Sequence, residues 1–184
     1  MISATRTTTI SLTQRYDRTT MYLHWATAAL VIVLWIIGQT IDFFPRGVAR
    51  DGYRTLHIAL GVMLVAVVFI LLMWRIGGGR KLPNADAGLL GKAAALMYRL
   101  LYAMLVSTLS LGLFNLWQRG DMIVFVGRVP AFDPDNKWLS ETVGDLHALS
   151  ANWIMILAGL HAAAALFHHY ILRDDVLRRM SPRG

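Results

Sequence analysis

The fold is decided by residues 146–172, which read LHALSANWIMILAGLHAAAALFHHYIL. This stretch contains no Asp, Glu, Lys or Arg. As a helix it measures about 40 Å, against roughly 30 Å for the hydrocarbon core of a bilayer. We therefore predict a membrane-spanning helix that tilts or protrudes. Four histidines lie within it, His147 and His161 in its apolar body and His168 and His169 near its end.

Three further apolar stretches are long enough to span a membrane, at residues 21–41, 56–74 and 96–117. The chain is 56% hydrophobic and only 16% charged, whereas a soluble domain carries about 25% charged residues. We predict one all-α membrane domain over residues 1–184, built as a bundle of four transmembrane helices. Cysteine is absent, which excludes disulfides, thiolate zinc sites, iron–sulfur clusters and cysteine nucleophiles.

The basic residues predict the orientation of the bundle. The net charge is +7, but the Lys and Arg residues flank the apolar stretches instead of forming one patch, so nucleic acid is not an expected partner. Twelve of them lie on the side of both termini and six on the opposite side, which predicts cytoplasmic termini in a multi-pass protein. Residues 11–14 fit a helix-capping box. Pro130 and Pro134 mark a loop of about 25 residues before the fourth helix, long enough to form a lid.

All six histidines lie within or at the ends of the predicted helices. Buried ionisable residues are costly in a membrane and usually face the bundle interior. The interval between His147 and His161 is close to four helical turns, or about 21 Å, so both lie on one face of the helix. By depth, His57 pairs with His147 in an outer layer, and His24 pairs with His161 in an inner layer.

Two facing imidazoles in each layer are what a six-coordinate b-type haem requires. Without cysteine the haem cannot be attached through a Cys-x-x-Cys-His motif, so we expect two non-covalent haems with two histidine ligands each. Gly38 follows His24 by 14 residues, the same interval that separates His147 from His161. Gly61 lies one turn after His57. These two glycines either make room for a porphyrin or serve helix packing. Arg75 and Arg99 are expected either to bind a haem propionate or to anchor the cytoplasmic helix ends.

The residues carrying a family resemblance are YLHW at 22–25, LHIALG at 56–61, LLY at 100–102, and the ending that runs from His161 through the pair at 168–169 to LRRM at 177–180. With these motifs the chain resembles the bacterial cytochrome b561 family of four-helix, dihaem membrane proteins. The resemblance covers nearly everything beyond the amino-terminal tail. The chain departs from the family pattern at Tyr98, where a histidine is frequent, and at Leu109, where a proline is frequent.

The resemblance implies the same four axial ligands, a location in the bacterial inner membrane, and a quinone site near the inner haem with His168 at the family position. Similar members oxidise superoxide outside the membrane and reduce ubiquinone. Others exchange electrons between quinol and a periplasmic redox protein.

Three basic residues on the outer side are candidates for guiding the superoxide anion. Arg50 and Arg54 precede His57 by seven and three positions, and Lys137 lies in the long loop. Neutralisation of haem propionates and simple solvation of the loop are the alternatives. Because the outer side has six basic and seven acidic residues, any attraction of an anion must be local.

Two other functions compete with a superoxide:quinone oxidoreductase. One is a haem-bearing membrane anchor that serves a periplasmic redox partner and has no substrate of its own. The other is a divalent-metal carrier that uses the histidines. Transport sites usually combine carboxylates near the membrane midplane, and two separated histidine layers do not fit that pattern.

Overall fold

The computed structural model describes residues 15–82, 88–124 and 126–181. This part of the chain contains four long helices: α1 at Arg18–Thr40, α2 at Val48–Gly77, α3 at Gly88–Arg119 and α4 at Lys137–Phe167. Two 3-10 turns lie at Ile41–Phe43 and Leu177–Met180, and a π turn at His168–Leu172. A short antiparallel hairpin pairs β1, Met122–Ile123, with β2, Gly127–Arg128.

All four helices are long and apolar enough to cross a membrane, which confirms the expected all-α, multi-pass membrane protein. Three of them, α2, α3 and α4, begin about two turns before the apolar stretches that predicted them. The apolar stretch marks only the part of a helix suited to lipid, whereas polar residues continue the helix beyond it. The loop predicted before the fourth helix is correspondingly too long, since the connection between α3 and α4 spans only residues 120–136.

The helices associate as two pairs. α1 packs along α2 and α3 packs along α4, while contacts of α1 with α4 and of α2 with α3 are much fewer. A small core around Leu34, Leu64 and Val68 joins α1 to α2. Many large apolar side chains face outward, as expected for helices that contact lipid. We call the end that holds both described termini and the α2–α3 connection the terminal end, and the opposite end the loop end.

Asp17 joins α1 and α2 at the terminal end. Its carboxylate caps α1 by accepting hydrogen bonds from the Thr20 amide (2.9 Å) and hydroxyl (2.7 Å). It also accepts hydrogen bonds from Trp74 Nε1 at the end of α2 (2.9 Å) and from the Arg80 amide (3.0 Å). Partial burial raises the pKa of Asp17, but the hydrogen bonds outweigh burial, and the net pKa lies well below its usual value. The capping box predicted at residues 11–14 lies outside the described residues.

The carboxyl-terminal segment crosses the terminal end to reach α1. Trp25 Nε1 donates a hydrogen bond to the Met180 carbonyl (2.9 Å), and the Tyr16 amide donates one to the Arg179 carbonyl (3.1 Å). These bonds hold residues 177–180 against the start of α1.

The connection between α3 and α4 is fixed at the loop end. Gly120 ends α3 with φ 68°, a left-handed conformation that favours glycine, and a Cβ there would meet Ala131 Cβ at 2.7 Å. The buried Gln118 donates hydrogen bonds to the carbonyls of Asp133 (2.5 Å) and Asn136 (3.4 Å). Phe132 packs on the Trp117 ring, with centroids 4.8 Å apart. The loop expected as a lid is therefore held against the end of α3.

We expect Asp17→Ala to lower the free energy of unfolding by about 1–2 kcal/mol, the range for loss of an N-cap. Because the folded-state pKa of Asp17 is depressed, its contribution is fully present above the ordinary carboxyl pKa of 3.8 and is lost as the pH falls through the folded-state value. Thermal unfolding in detergent, followed by tryptophan fluorescence, should show the same deficit between pH 5 and 7, narrowing only below about pH 4.

The matched control for this prediction is Asp135→Ala, because Asp135 is exposed in the loop-end connection. Equal melting temperatures for the two variants would contradict the assigned role of Asp17.

Candidate functional site

Four histidines from three helices meet as two pairs. At the loop end, His57 of α2 faces His147 of α4, with ring centroids 6.2 Å apart and ring planes at 81°. Toward the terminal end, His24 of α1 faces His161 of α4, with centroids 6.5 Å apart and planes at 72°. With metal–nitrogen bonds of about 2 Å, imidazoles on opposite sides of one metal ion have centroids roughly 6 Å apart. Both pairs fit the axial positions of a haem.

A hydrogen bond orients His147 for metal binding. Its Nδ1 lies 3.0 Å from the carbonyl oxygen of Thr108 on α3. A carbonyl can only accept, so Nδ1 carries the proton and Nε2 keeps the lone pair that binds a metal. Thr108 is held in turn, because its hydroxyl oxygen lies 2.9 Å from the Met104 carbonyl and 2.9 Å from the Ser150 hydroxyl. This network ties the imidazole to both α3 and α4.

His57 is the second histidine of the loop-end pair and faces His147 from α2. Its Nδ1 is buried and outside normal hydrogen-bond geometry with its neighbours, and the Leu34 carbonyl of α1 is the backbone group that interacts with the ring. A carbonyl acceptor for one ring nitrogen leaves the other available to a bound group. His24 and His147 are likewise half-buried, whereas His161 is exposed.

Two glycines make space beside the loop-end pair. A Cβ at Gly112 would lie 3.0 Å from His147 Cε1, and a Cβ at Gly38 would lie 3.7 Å from His57 Cε1. Both glycines, Gly61 and the two histidines line one cavity of about 550 Å³, which is within the usual range for cofactor pockets. The space that these glycines leave beside the two imidazoles fits a flat cofactor.

Sequence reasoning gave no such role to Gly112. The sequence does contain a signal for this role, because Gly112 follows Tyr98 by 14 residues, just as Gly38 follows His24 by 14 residues.

The loop-end rim of the cavity carries both cations and carboxylates. Arg50 forms an ion pair with Asp42, and Arg54 Nη2 lies 2.7 and 2.6 Å from the two carboxylate oxygens of Asp121. With Asp51 and Arg119, the rim has three residues of each sign. Neither Arg50 nor Arg54 is a free cation, which the sequence could not indicate.

Arg119 is the rim cation that sequence reasoning missed. Its guanidinium donates to the Ser140 hydroxyl (2.5 Å) and to the Ser140 carbonyl (3.2 Å). Among the described residues, no carboxylate lies within 4.0 Å of it. Asn115, whose Oδ1 is buried without a described partner, lines the cavity one turn away. Lys137 begins α4, is exposed, and stands outside the residues that line this cavity.

At the terminal end, Arg75 sits among tyrosines. Its guanidinium carbon lies 5.5 Å from the Tyr16 ring centroid and 5.6 Å from that of Tyr98, and its Nη2 is 3.4 Å from the Tyr98 hydroxyl. The Tyr98 and Tyr102 rings are in tilted contact, with centroids 4.6 Å apart and planes at 58°. Arg99, the other arginine expected to bind a propionate, is exposed on α3. The cluster brings a fixed cation and phenol hydroxyls to the seam between α2 and α3.

His168 follows α4 directly and is paired with a carboxylate. Its Nδ1 lies 2.6 Å from Asp174 Oδ2. Partial burial raises the pKa of Asp174, but hydrogen bonds from His168 and the Val176 amide outweigh burial and lower the net pKa. Sequence reasoning missed Asp174, whose only signal was its position shortly after His168.

The described residues contain no group of three or more His, Cys, Asp or Glu side chains suited to holding a metal ion. The histidines occur as separated pairs, which is the arrangement expected for haem ligation and not for a metal carrier.

Comparison with known proteins agrees with this geometry. The family model described as prokaryotic cytochrome b561 matches residues 15–183. The chain is 31% identical over 173 residues to cytochrome b561 homolog 1 of Escherichia coli (strain K12), covering 92% of this chain and 98% of that protein. It is 33% identical over 172 residues to cytochrome b562 of Cereibacter sphaeroides, covering 90% and 94%.

A third relative carries a functional name. The chain is 28% identical over 173 residues to a Yersinia pestis protein named probable superoxide oxidase CybB, covering 92% of this chain and 97% of that protein. The family match spans all four helices and both histidine pairs. The resemblance found in the sequence is confirmed: the chain belongs to the prokaryotic cytochrome b561 family, whose members are haem b proteins of the membrane.

Proposed function

We propose that this protein is a dihaem electron-transfer cytochrome that oxidises superoxide at the loop end and reduces ubiquinone at the terminal end. The observation that carries the proposal is the stacking of two facing histidine pairs along α4, with their α4 members about 21 Å apart along the helix axis. Two carriers at that separation connect the faces of a bilayer with a hydrocarbon core of about 30 Å. Similarity to a probable superoxide oxidase supports superoxide as the electron donor.

Each haem b would be held by one histidine pair. His57 and His147 would hold one haem beside Gly38 and Gly112, and His24 and His161 would hold the other. When bound, the haems supply one-electron carriers whose iron has no open coordination position. Non-covalent binding follows from the absence of cysteine.

A guanidinium near each haem would neutralise a propionate. At the terminal end Arg75 is the stronger candidate, because its guanidinium and the Tyr98 hydroxyl together suit a carboxylate. Arg99, which is exposed on α3, is the second candidate. An ion pair with either arginine would stabilise the propionate in its ionised form.

The terminal end is assigned to the cytoplasm of an inner-membrane protein. Twelve Lys and Arg residues flank the helices at that end, against six at the loop end, in keeping with the positive-inside rule. Superoxide would therefore be oxidised on the periplasmic side, and quinone reduced where cytoplasmic protons are available.

At the loop end, Arg50, Arg54 and Lys137 would guide superoxide toward the cavity, with Arg119 as a further cation in its lining. Concentrated positive charge raises the arrival rate of a small anion. Because Asp42 and Asp121 neutralise Arg50 and Arg54, Arg119 is expected to have the largest effect. His168 is assigned to the quinone site at the opposite end.

The charge balance of the rim favours one alternative, a quinol-linked cytochrome or haem-bearing anchor that serves a periplasmic redox protein. Three arginines are matched by three aspartates around the cavity. A surface that carries both signs of charge suits docking of a protein partner better than capture of a small anion.

Rapid mixing of the oxidised, haem-loaded protein with superoxide tests the proposal. We expect haem reduction near the diffusional limit of about 10⁸–10⁹ M⁻¹s⁻¹, followed by electron transfer to ubiquinone. Arg119→Gln should lower the rate constant about 3- to 10-fold and weaken its salt dependence. Arg128→Gln, on the exposed hairpin strand, is the control. Slow reduction by superoxide together with fast reduction by quinol would instead establish the alternative.

Single histidine variants test the two-layer arrangement. We expect His24→Ala or His161→Ala to remove only the terminal-end haem, and His57→Ala or His147→Ala only the loop-end haem, because each variant removes one of the two histidines that would hold that haem. Haem-to-protein ratios and redox titration of the purified variants measure this. Loss of both haems from every variant would contradict independent layers.

A glycine substitution tests whether the cavity beside the loop-end histidine pair holds haem. We expect Gly112→Leu to exclude the loop-end haem while leaving the terminal-end haem bound, because a Cβ alone already approaches His147 to 3.0 Å. Gly52→Leu is the control, since a Cβ at this glycine of α2 meets no described atom within 4 Å. Equal haem content in the two variants would show that the cavity beside His147 does not hold haem.

A further inference from the structure

The connection between α3 and α4 contains a hairpin with apolar side chains on both faces. Residues 122–126 read MIVFV, within a segment that is otherwise rich in Asp, Pro and Gly. Strand β1 packs against α2, and its Ile123 is half-buried. Met122 and Val126 are instead 58% and 77% exposed. A strand that faces water normally presents polar side chains on that face, so the second face of the hairpin calls for an apolar environment.

The hairpin lies at the depth where the helices enter their apolar stretches. Asp121, directly before β1, accepts hydrogen bonds from Arg54 Nη2 at 2.7 and 2.6 Å, and Arg54 lies two positions before the apolar stretch of α2. On α3, the exposed Trp117 ends the apolar stretch, and Gly120 follows it by three positions, or about 5 Å. Tryptophan is enriched where hydrocarbon meets the lipid head groups. The hairpin therefore begins at the membrane interface.

The segment after the hairpin returns to the depth of the apolar stretch. The Phe132 ring contacts the rings of Trp117 and Phe114, with centroids 4.8 and 5.5 Å apart, and Phe114 lies within the apolar stretch of α3. Phe132 is nevertheless 44% exposed. Trp117 shares one face of α3 with the exposed Val106 and Leu113. Phe132 thus continues the apolar outer surface of α3 that contacts lipid.

The exposed face of the hairpin also carries a cation. Arg128 is directly opposite Met122 in the antiparallel register, so the two side chains lie on one face, and both are exposed. The aliphatic part of an arginine can lie along apolar surface while its guanidinium reaches a phosphate. A phospholipid offers acyl carbon and phosphate at neighbouring depths, which matches this pair of side chains.

We propose that the hairpin and Phe132 insert into the leaflet at the loop end, so that the α3–α4 connection is an interfacial membrane-binding element. Met122 and Val126 contact the upper part of the acyl chains, and Arg128 lies at the level of the phosphates. The ion pair of Asp121 with Arg54 joins this element to the rim of the loop-end cavity. Insertion requires a membrane-spanning bundle but no particular reaction.

A fluorophore on a single cysteine tests the insertion, because the chain has no cysteine of its own. Val126→Cys in the full, haem-loaded chain is labelled with a nitrobenzoxadiazole group and placed in nanodiscs of phosphatidylcholine and phosphatidylglycerol. Quenching is measured with aqueous iodide and with lipids that carry a doxyl group near the head group or near the bilayer centre. We expect the shallow doxyl lipid to quench at least about twice as strongly as the deep one, because interfacial segments lie roughly 5–10 Å into the boundary of head groups and acyl chains. Iodide should quench weakly.

Two labelled variants calibrate the depth. Asp135→Cys is the matched control in the same connection, because Asp135 is exposed; iodide should quench this label strongly and the doxyl lipids weakly. Val106→Cys, halfway along the apolar stretch of α3, should be quenched most by the deep doxyl lipid. If Val126→Cys melts at a lower temperature than Asp135→Cys, Met122→Cys carries the same comparison.

Three results would overturn the proposal. Equal iodide quenching at positions 126 and 135 would place the hairpin in water. Protection of the label at position 126 from both iodide and the shallow doxyl lipid would mean that a second copy of the chain covers the hairpin. Strongest quenching by the deep doxyl lipid, as expected at position 106, would place the hairpin in the hydrocarbon core instead of at the interface.

Discussion

The separation of two imidazoles on α4 constrains the rest of the bundle. His147 and His161 each face a histidine across the interior, so α4 faces α2 near the loop end and α1 near the terminal end. A flat group between facing rings also needs a gap between helices. The helices provide it by packing as two pairs, α1 with α2 and α3 with α4, with few contacts between the pairs.

Hydrogen bonds at several depths hold these pairs together. In lipid, helices gain little from burying apolar surface against one another, so packing and polar contacts take over that role. Asn152 on α4 accepts hydrogen bonds from Trp35 (2.8 Å) and Gln39 (3.1 Å) on α1, at a depth between the histidine pairs. Asp17 joins α1 to the end of α2, and Thr108 with Ser150 joins α3 to α4. Of these contacts, the Asn152 hydrogen bonds cross from one pair to the other and fix the distance between α1 and α4 at that depth.

The two ends of the bundle differ in the chemistry they present. The loop end has a cavity bordered by paired arginines and aspartates, with Arg119 bound only to neutral groups among the described residues. The terminal end has the Arg75–tyrosine cluster and the His168–Asp174 pair. The proposed oxidation of an anion at the loop end and reduction of quinone at the terminal end would account for this asymmetry.

Much of this arrangement follows from local sequence. The apolar stretches predicted four helices, and the four-turn interval on α4 together with residue depth predicted how the histidines pair. The partners of Arg50 and Arg54 were not predictable, because they depend on contacts between separate elements. The helix starts were missed because polar residues continue the helices beyond the apolar stretches. The contact of Asp174 with His168 was not predictable for a different reason. It requires a π turn and a left-handed conformation at Arg173, and residue spacing indicates neither of these.

The most direct measurement is the number of haems per chain in the purified membrane protein, obtained from the pyridine haemochrome spectrum and a quantitative amino-acid analysis. Two haem b groups per chain, both removed by acidified acetone because neither is covalently bound, are the result this account predicts. A ratio of one or less in fully loaded protein would contradict it, since one of the two histidine pairs would then have no haem to bind.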